Sequence, residues 1–342
     1  MKNDYSQFEQ RKRDHIELAL MPANQSSELN PFDALHLIHE AMPDINFNDI
    51  SIKSTRFSQN VNTPFIISSM TAGHEHAADI NFRLMEACSQ TGWAMGVGSQ
   101  RRELTDKNAA FEWAPLRKKF PDVALFSNIG LAQIITTPAA AILRLIDALS
   151  AQALIIHCNP LQEAIQPEGT TDFKGCWEAL DQLVTALPVP IILKETGCGF
   201  SQQTLQRINQ TGVAAVDVSG VGGTHWGRIE GHRATNDPIR HQTATTFRNW
   251  GIDTVQSVIN AQIINPNFEV WGSGGVRHGL DAAKLVALGA TTVGFAKPML
   301  EAALLSTEDV WQKMNIIEYE LKTAMFCTGS PTLDALKEKA CL

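Results

Sequence analysis

From about residue 64 onward the chain alternates short apolar runs with helix-like stretches, and this βα rhythm constrains its fold more than any other feature. Strand candidates lie at 64–68, 93–97, 123–127, 153–157, 190–194, 214–218, 269–273 and 291–295. Each is short, rich in branched or aromatic residues and bounded by turn formers, the pattern of a strand buried on both faces. Helix candidates fill the intervals at 77–90, 137–149, 174–186, 201–210 and 278–288. Gly92, Gly212 and Gly289 stand just before the next strand, where a left-handed residue ends a helix. Eight such units spread over about 240 residues predict an α/β fold, a closed parallel (β/α)8 TIM barrel with N-terminal and C-terminal extensions. A doubly wound open sheet is the alternative, but its early glycine fingerprint is missing.

The expected division is an extension over residues 1–60 and a barrel over 61–342, the latter ending in a helical extension. With 342 residues, 44% of them hydrophobic, one large domain is favoured over two independent cores. The net charge of −8 argues against a general nucleic-acid surface. No apolar run reaches the roughly 18 residues of a membrane helix, and Met1 to Arg13 lacks a signal-peptide core. The six cysteines form no C-x-x-C pair, which suggests reduced thiols in a cytoplasmic protein. Cys158 and Cys198 lie beside candidate site loops, where space-filling outweighs a nucleophilic role.

Active sites of such barrels gather at the carboxyl ends of the strands. The fourth strand is followed by His157-Cys158-Asn159-Pro160-Leu161-Gln162-Glu163, an imidazole, two amides and a carboxylate in one short stretch. Pro160 stops a strand, so these groups are expected on a loop above it. The other exits are also polar or glycine-rich: Ser68 to Gly73, Gly96 to Arg102, Asn128, Lys194-Glu195, Asp217 to Ser219, Gly272 to Arg277, and Gly294 to Lys297. The longest connections, near 158–173 and 219–240, are expected to be structureless functional loops.

Ser273-Gly274-Gly275 and the eighth exit fit a phosphate site, with Arg277 or Lys297 adding charge and Gly222-Gly223-Thr224 more donors. Lys194 has three readings: a Schiff-base amine, a cation beside an electron-rich cofactor, or a salt-bridge partner of Glu195. His157 alone is more often a hydrogen-bonded core histidine; its companions point to chemistry.

Taken in order, Met70-Thr71-Ala72-Gly73, Gly96 to Arg101, His157 to Glu168, Asp217 to Thr224 and Ser273 to Arg277 resemble the type 2 isopentenyl-diphosphate delta-isomerases. Arg11-Lys12-x-x-His15 near the start fits the same family, and the ordered match spans nearly the whole chain. The resemblance implies an enzyme that interconverts isopentenyl and dimethylallyl diphosphate. It would use FMN in its reduced form, Mg²⁺, and NADPH as one reductant, with no net redox change. It also implies a homo-oligomer, a tetramer or octamer.

Carried over, the flavin would meet Met70, Thr71, Ala72, Ser99, Asn128, Lys194, Ser219 and Thr224. Its phosphate would lie on Gly275, Val276, Arg277, Ala296 and Lys297. Arg11, Lys12, His15, Ser99, Gln100, Arg101, Asn159 and Gln162 would bind the substrate. His157, Gln162 and Lys194 would serve catalysis, Gln162 by orienting rather than as an acid, and Glu163 would offer oxygen to Mg²⁺. Without that match, a basic N-terminus reads as a solvated tail. The chain departs from the family at Ala72, where glycine is common, and at Val221, where a basic residue is common. Trp226 lies in the following long loop, where its large apolar body excludes water or packs on a neighbouring subunit.

Three rivals use the same residues. An FMN-dependent 2-hydroxy-acid oxidase would recruit His225 with Arg228 or Arg233. A Schiff-base aldolase would use Lys194, and a non-catalytic flavin- or phosphate-binding protein would not turn over.

Overall fold

The computed structural model of the chain describes residues 2–70, 75–106, 109, 113–337 and 339–341. Eight parallel strands close a barrel: β1 (Phe65–Ile67), β2 (Ala94–Gly96), β3 (Leu125–Gly130), β4 (Ala153–Cys158), β5 (Ile191–Glu195), β6 (Ala215–Asp217), β7 (Glu269–Gly272) and β8 (Thr292–Phe295). All eight coincide with the expected runs, and β8 pairs with β1 to remove the sheet edge. Only β3 runs appreciably past its expected end, to Gly130.

Side-chain alternation decides what the barrel holds. One inward layer is apolar and includes Ile66, Phe126, Ile155, Ile192 and Trp271, all essentially without exposure. Each such side chain contributes about 1.5–3 kcal/mol on burial. Two residues further along the same strands, the inward positions are Ser68, Asn128, His157, Lys194, Asp217 and Ser273. The barrel therefore changes from a packed hydrocarbon plug to a polar layer in one pleat, toward the strands' carboxyl ends.

The opposite end is closed by the hairpin Ser54–Arg56/Gln59–Val61. Phe57 packs on Phe126 and Trp271 at ring separations of 6.2 and 5.6 Å. The Arg56 guanidinium lies over the same two rings.

The expected helices are present, including Glu75–Thr91, Ala139–Leu149, Cys176–Ala186, Gln202–Ile208 and Gly279–Ala287. The two long connections are not structureless. One holds the helix Pro160–Ile165 and the other the helices Trp226–Arg233 and Pro238–Thr246. Pro160 does end the strand, but it does so by opening a helix: it occupies the first turn, where a missing N–H costs nothing. The basic N-terminus is likewise no solvated tail; it forms the helix Lys2–Leu20, with His15 buried. Among the described residues, no helix is long and apolar enough to cross a membrane.

Candidate active site

A cavity of about 560 Å³ opens above the polar layer. Three sources build it. The strand ends supply Ser68, Asn128, His157, Lys194 and Ser273; the glycine loops supply Gly222, Gly223, Gly274 and Gly275; the N-terminal helix lays Arg11, Lys12, His15, Ile16 and Ala19 against it. Those last five share one helix face, since positions four apart are stacked along the axis.

On β4, His157 Nδ1 lies 2.8 Å from Asn128 Oδ1. Asn128 spends its amide N–H on Val97 O at 3.0 Å, so its oxygen accepts and the histidine carries its proton on Nδ1. Burial, helped by the charges of Lys12, Lys194 and Arg101, pushes the imidazole down to about 4. The cavity is therefore lined by a neutral imidazole.

Lys194 does not pair with Glu195. Adjacent strand residues point to opposite faces, and Lys194 instead stands in register with Asp217 across β5 and β6. Its ammonium donates to Asp217 Oδ2 at 2.7 Å and Ser273 Oγ at 2.9 Å, while Ser273 donates to Asp217 Oδ1 at 2.6 Å. Glu195 faces outward and accepts the backbone N–H groups of Thr196 and Gly197 at 2.7 and 2.8 Å, with Cys198 N as a third donor. Burial still holds Glu195 up at about 7.

Beyond β4, Asn159 caps the helix that carries Gln162 and Glu163. Its amide donates to Gln162 Oε1 and Glu163 Oε1, both at 3.1 Å. Glu163 is buried and lines the cavity, its second oxygen accepting the Thr170 N–H. Gln162 donates its own amide to Glu230 Oε1 at 2.9 Å.

Glu230 is the residue that sequence reasoning missed. It has no exposure, and His15 Nε2 also donates to its Oε1 at 2.9 Å, while Arg233 reaches Oε2 at 2.6 Å. Burial alone would raise this carboxyl; the hydrogen bond from His15 and the charge of Arg233 outweigh it and hold it at about 2. His15 itself is lowered by burial, against the pull of Glu230. The N-terminal helix and Gln162 are thus tied to one buried carboxylate. Trp226 completes this corner, lining the cavity and packing edge-on to His15 at 5.0 Å.

Arg11 and Lys12 sit beside one another at the cavity and are both lowered by burial. Lys12, with Arg11 adjacent, comes down to about 7. Arg101 and Ser99 also line the cavity, but Gln100 does not. Gln100 is wholly buried in the barrel wall. Its oxygen accepts from Ser127 and Asn128 and its amide donates to Glu103 and Leu145, so it has nothing left for a ligand.

The glycine loops meet each other closely. A Cβ on Gly223 would stand 2.6 Å from Gly275 N, and Gly275 holds φ +75. Ser219, a non-glycine residue at φ 34, is strained at the same rim. Met70, Ser219, Thr224, Val276, Ala296 and Lys297 all line the cavity. Arg277 borders it too, but its charge is spent elsewhere: the guanidinium pairs with Asp33 at 2.7 Å and Asp281 at 2.8 Å, and its N–H goes to Asp281. Thr71 and Ala72 lie outside the described residues.

Among the described residues, no three His, Cys, Asp or Glu side chains are arranged to hold a metal. Cys88, Cys158 and Cys198 are free thiols raised well above their usual range by burial, which removes them as nucleophiles. The residues an oxidase would recruit are also committed. His225 caps the helix Trp226–Arg233, Arg228 holds Gln25 O and Glu28, and Arg233 holds Glu230 and Glu168.

Comparison with known proteins identifies the family and the barrel. A family model for FMN-dependent dehydrogenases matches residues 143–342. The chain is 75% identical over 341 residues to isopentenyl-diphosphate delta-isomerase of Legionella pneumophila (strain Corby), with all of both chains covered. It is 52% identical to the enzyme of the same name from Bdellovibrio bacteriovorus, with 99% of each covered. Among solved structures, a mutant flavocytochrome b2 with benzoylformate superposes with a TM-score of 0.71 at 16% identity, covering 99% of this chain and 86% of that one. An (S)-mandelate dehydrogenase mutant gives 0.68 at 15%, covering 99% and 98%. At that identity the likeness shows the barrel alone. The full-length matches go further: the chain belongs to the FMN-dependent, type 2 isopentenyl-diphosphate delta-isomerase family.

Proposed function

We propose that the chain interconverts isopentenyl and dimethylallyl diphosphate with reduced FMN and Mg²⁺, without net redox change. The observation that carries this reading is one cavity with two characters: the cations Arg11, Lys12 and Arg101, and the uncharged groups His157, Gln162 and Asn159. Cations suit a diphosphate. Neutral polar groups in a site withdrawn from water suit an alkene that must gain one proton and lose another through a cation-like state.

The residues fit a flavin nucleotide. Among the described residues, the Ser68 and Ser69 hydroxyls find no partner where they are buried at the cavity. Nor, among those residues, does any acceptor take the N–H groups of Gly275, Val276, Ala296 or Lys297. Ala296 also caps the helix Lys297–Leu305, whose N-terminus favours an anion. Those N–H groups would hold the phosphate, and Lys194, fixed by Asp217 and Ser273, would place its amine beside the ring. Met70, Ser99, Asn128, Ser219 and Thr224 would line the remainder, with Thr71 and Ala72 carried only by the resemblance. Reduced flavin, when bound, supplies an electron-rich face and a carrier for the migrating proton; NADPH is the proposed source of its electrons.

This chain's own part is positioning. Arg11, Lys12, Ser99 and Arg101 bind the diphosphate end, while His15, whose one N–H goes to Glu230, anchors the helix that carries Arg11 and Lys12. Glu163 offers one carboxylate, which suits a Mg²⁺ that keeps its waters and shares the diphosphate rather than a protein cage. Gln162, fixed at both ends of its amide, orients the alkene; His157 presents a neutral imidazole as an acceptor. Trp226 and the N-terminal helix exclude water.

Carrying the reaction out in D₂O tests the reading. Isopentenyl diphosphate should give dimethylallyl diphosphate bearing solvent deuterium. Recovery of unlabelled, unchanged substrate with flavin, Mg²⁺ and reductant present would overturn it.

A further inference from the structure

Residues 25–33, for which the reaction supplies no role, run along both glycine loops. Gln25 bridges to Thr224, Ser26 N donates to Gly223 O at 2.7 Å, and Phe32 O accepts from the buried Lys284 ammonium at 2.6 Å. Asp33 takes the guanidinium of Arg277. At the centre is Asn30, which lines the cavity. Its oxygen caps Phe32 N at 3.0 Å, and its amide donates to Gly275 O at 3.1 Å and Gly222 O at 3.4 Å. It thus joins the two loops by their carbonyls and leaves the Gly275 N–H turned to other use.

We propose that Asn30 is a positioning residue for the flavin phosphate: its side-chain amide holds the loops at Gly222 and Gly275 together, so that backbone N–H groups converge on the anion. The inference rests on the flavin reading above. Glycine loops at positive φ have many other conformations open to them, and a cradle left to find its own shape gives up binding free energy to order it. Arg277, bound by two carboxylates, does not take over this task.

The phosphate supplies the discriminating experiment, because riboflavin carries the same ring without it. Binding of FMN and riboflavin to the full-length protein is followed by quenching of flavin fluorescence, for the wild type, Asn30→Ala and Asn30→Ser. Serine keeps an oxygen able to cap Phe32 but cannot reach the two carbonyls. Both variants should bind FMN about tenfold more weakly, the scale of a lost hydrogen bond in an ordered site, with riboflavin affinity unchanged. Equal losses for both flavins in the two variants would mean general loosening and would overturn the inference, as would no loss at all. Wild-type behaviour in the serine variant would reduce Asn30 to a capping residue. A wild type that ignores FMN sinks the flavin reading itself, and the inference with it.

Discussion

Gln162 and Glu230, 68 positions apart, share a 2.9 Å hydrogen bond that fixes which way the Gln162 amide faces. An ionised carboxylate only accepts, so the nitrogen of Gln162 points to Glu230 and its oxygen to Asn159. Glu230→Gln keeps the shape but loses that asymmetry. We expect kcat to fall by about 100-fold, the scale of a misaligned reacting group, with FMN affinity retained. Steady-state kinetics with a flavin titration separates the two; an unchanged kcat would remove Gln162 from the account.

Glu230 also sets an acid limit. Its folded carboxyl titrates at about 2 against a usual 4.5, so the stability it contributes is present above 4.5 and is lost as pH falls toward 2. Urea unfolding across that window should show a slope that Glu230→Ala lacks. At neutral pH that variant should be less stable by about 3 kcal/mol, the low end for breaking a buried pair, because Arg233 keeps Glu168.

Lys12, at about 7 in the free protein, is charged below that pH and neutral above it. Inorganic pyrophosphate should therefore bind more weakly as pH rises through 7, and binding above 7 should take up a proton. Calorimetry in buffers of different ionisation enthalpy measures this uptake. Lys12→Arg should abolish it, since guanidinium stays charged.

His157 should remain neutral down to about pH 4. Its folded value lies below the usual 6.5, so its contribution to stability is complete above 6.5 and declines as pH falls toward 4. NMR of ring-labelled histidine should show no transition near 6.5 for this residue; one there would make it an acid at neutral pH.

How much of this was legible in the sequence follows from side-chain geometry. The barrel strands are short apolar runs between turn formers, and nothing in the structure competes with that signal. The two-residue period that gives Ile155 and His157 one face also gives Ile192 and Lys194 one face, so Glu195 as partner of Lys194 was excluded by the strand itself. The helices over the barrel mouth were hidden because they have no broad apolar stripe. Trp226–Arg233 starts at the His225 cap and is held by long-range ties to Gln25, Asn24 and His15. Glu230 lies in it without any motif. Gln100 and Arg101 are neighbours of equal promise, and only the turn at Ser99 decides that one enters the wall and the other the cavity.

The central claim is redox-neutral isomerisation, and turnover under strict anaerobiosis tests it most directly. Isopentenyl diphosphate, FMN, Mg²⁺ and a fixed small amount of NADPH are supplied, and product and NADPH are counted together. The account predicts many molecules of dimethylallyl diphosphate for each NADPH consumed, and none with oxidised flavin. Flavin-loaded protein that makes no product, yet is reduced by 2-hydroxy acids, would contradict it.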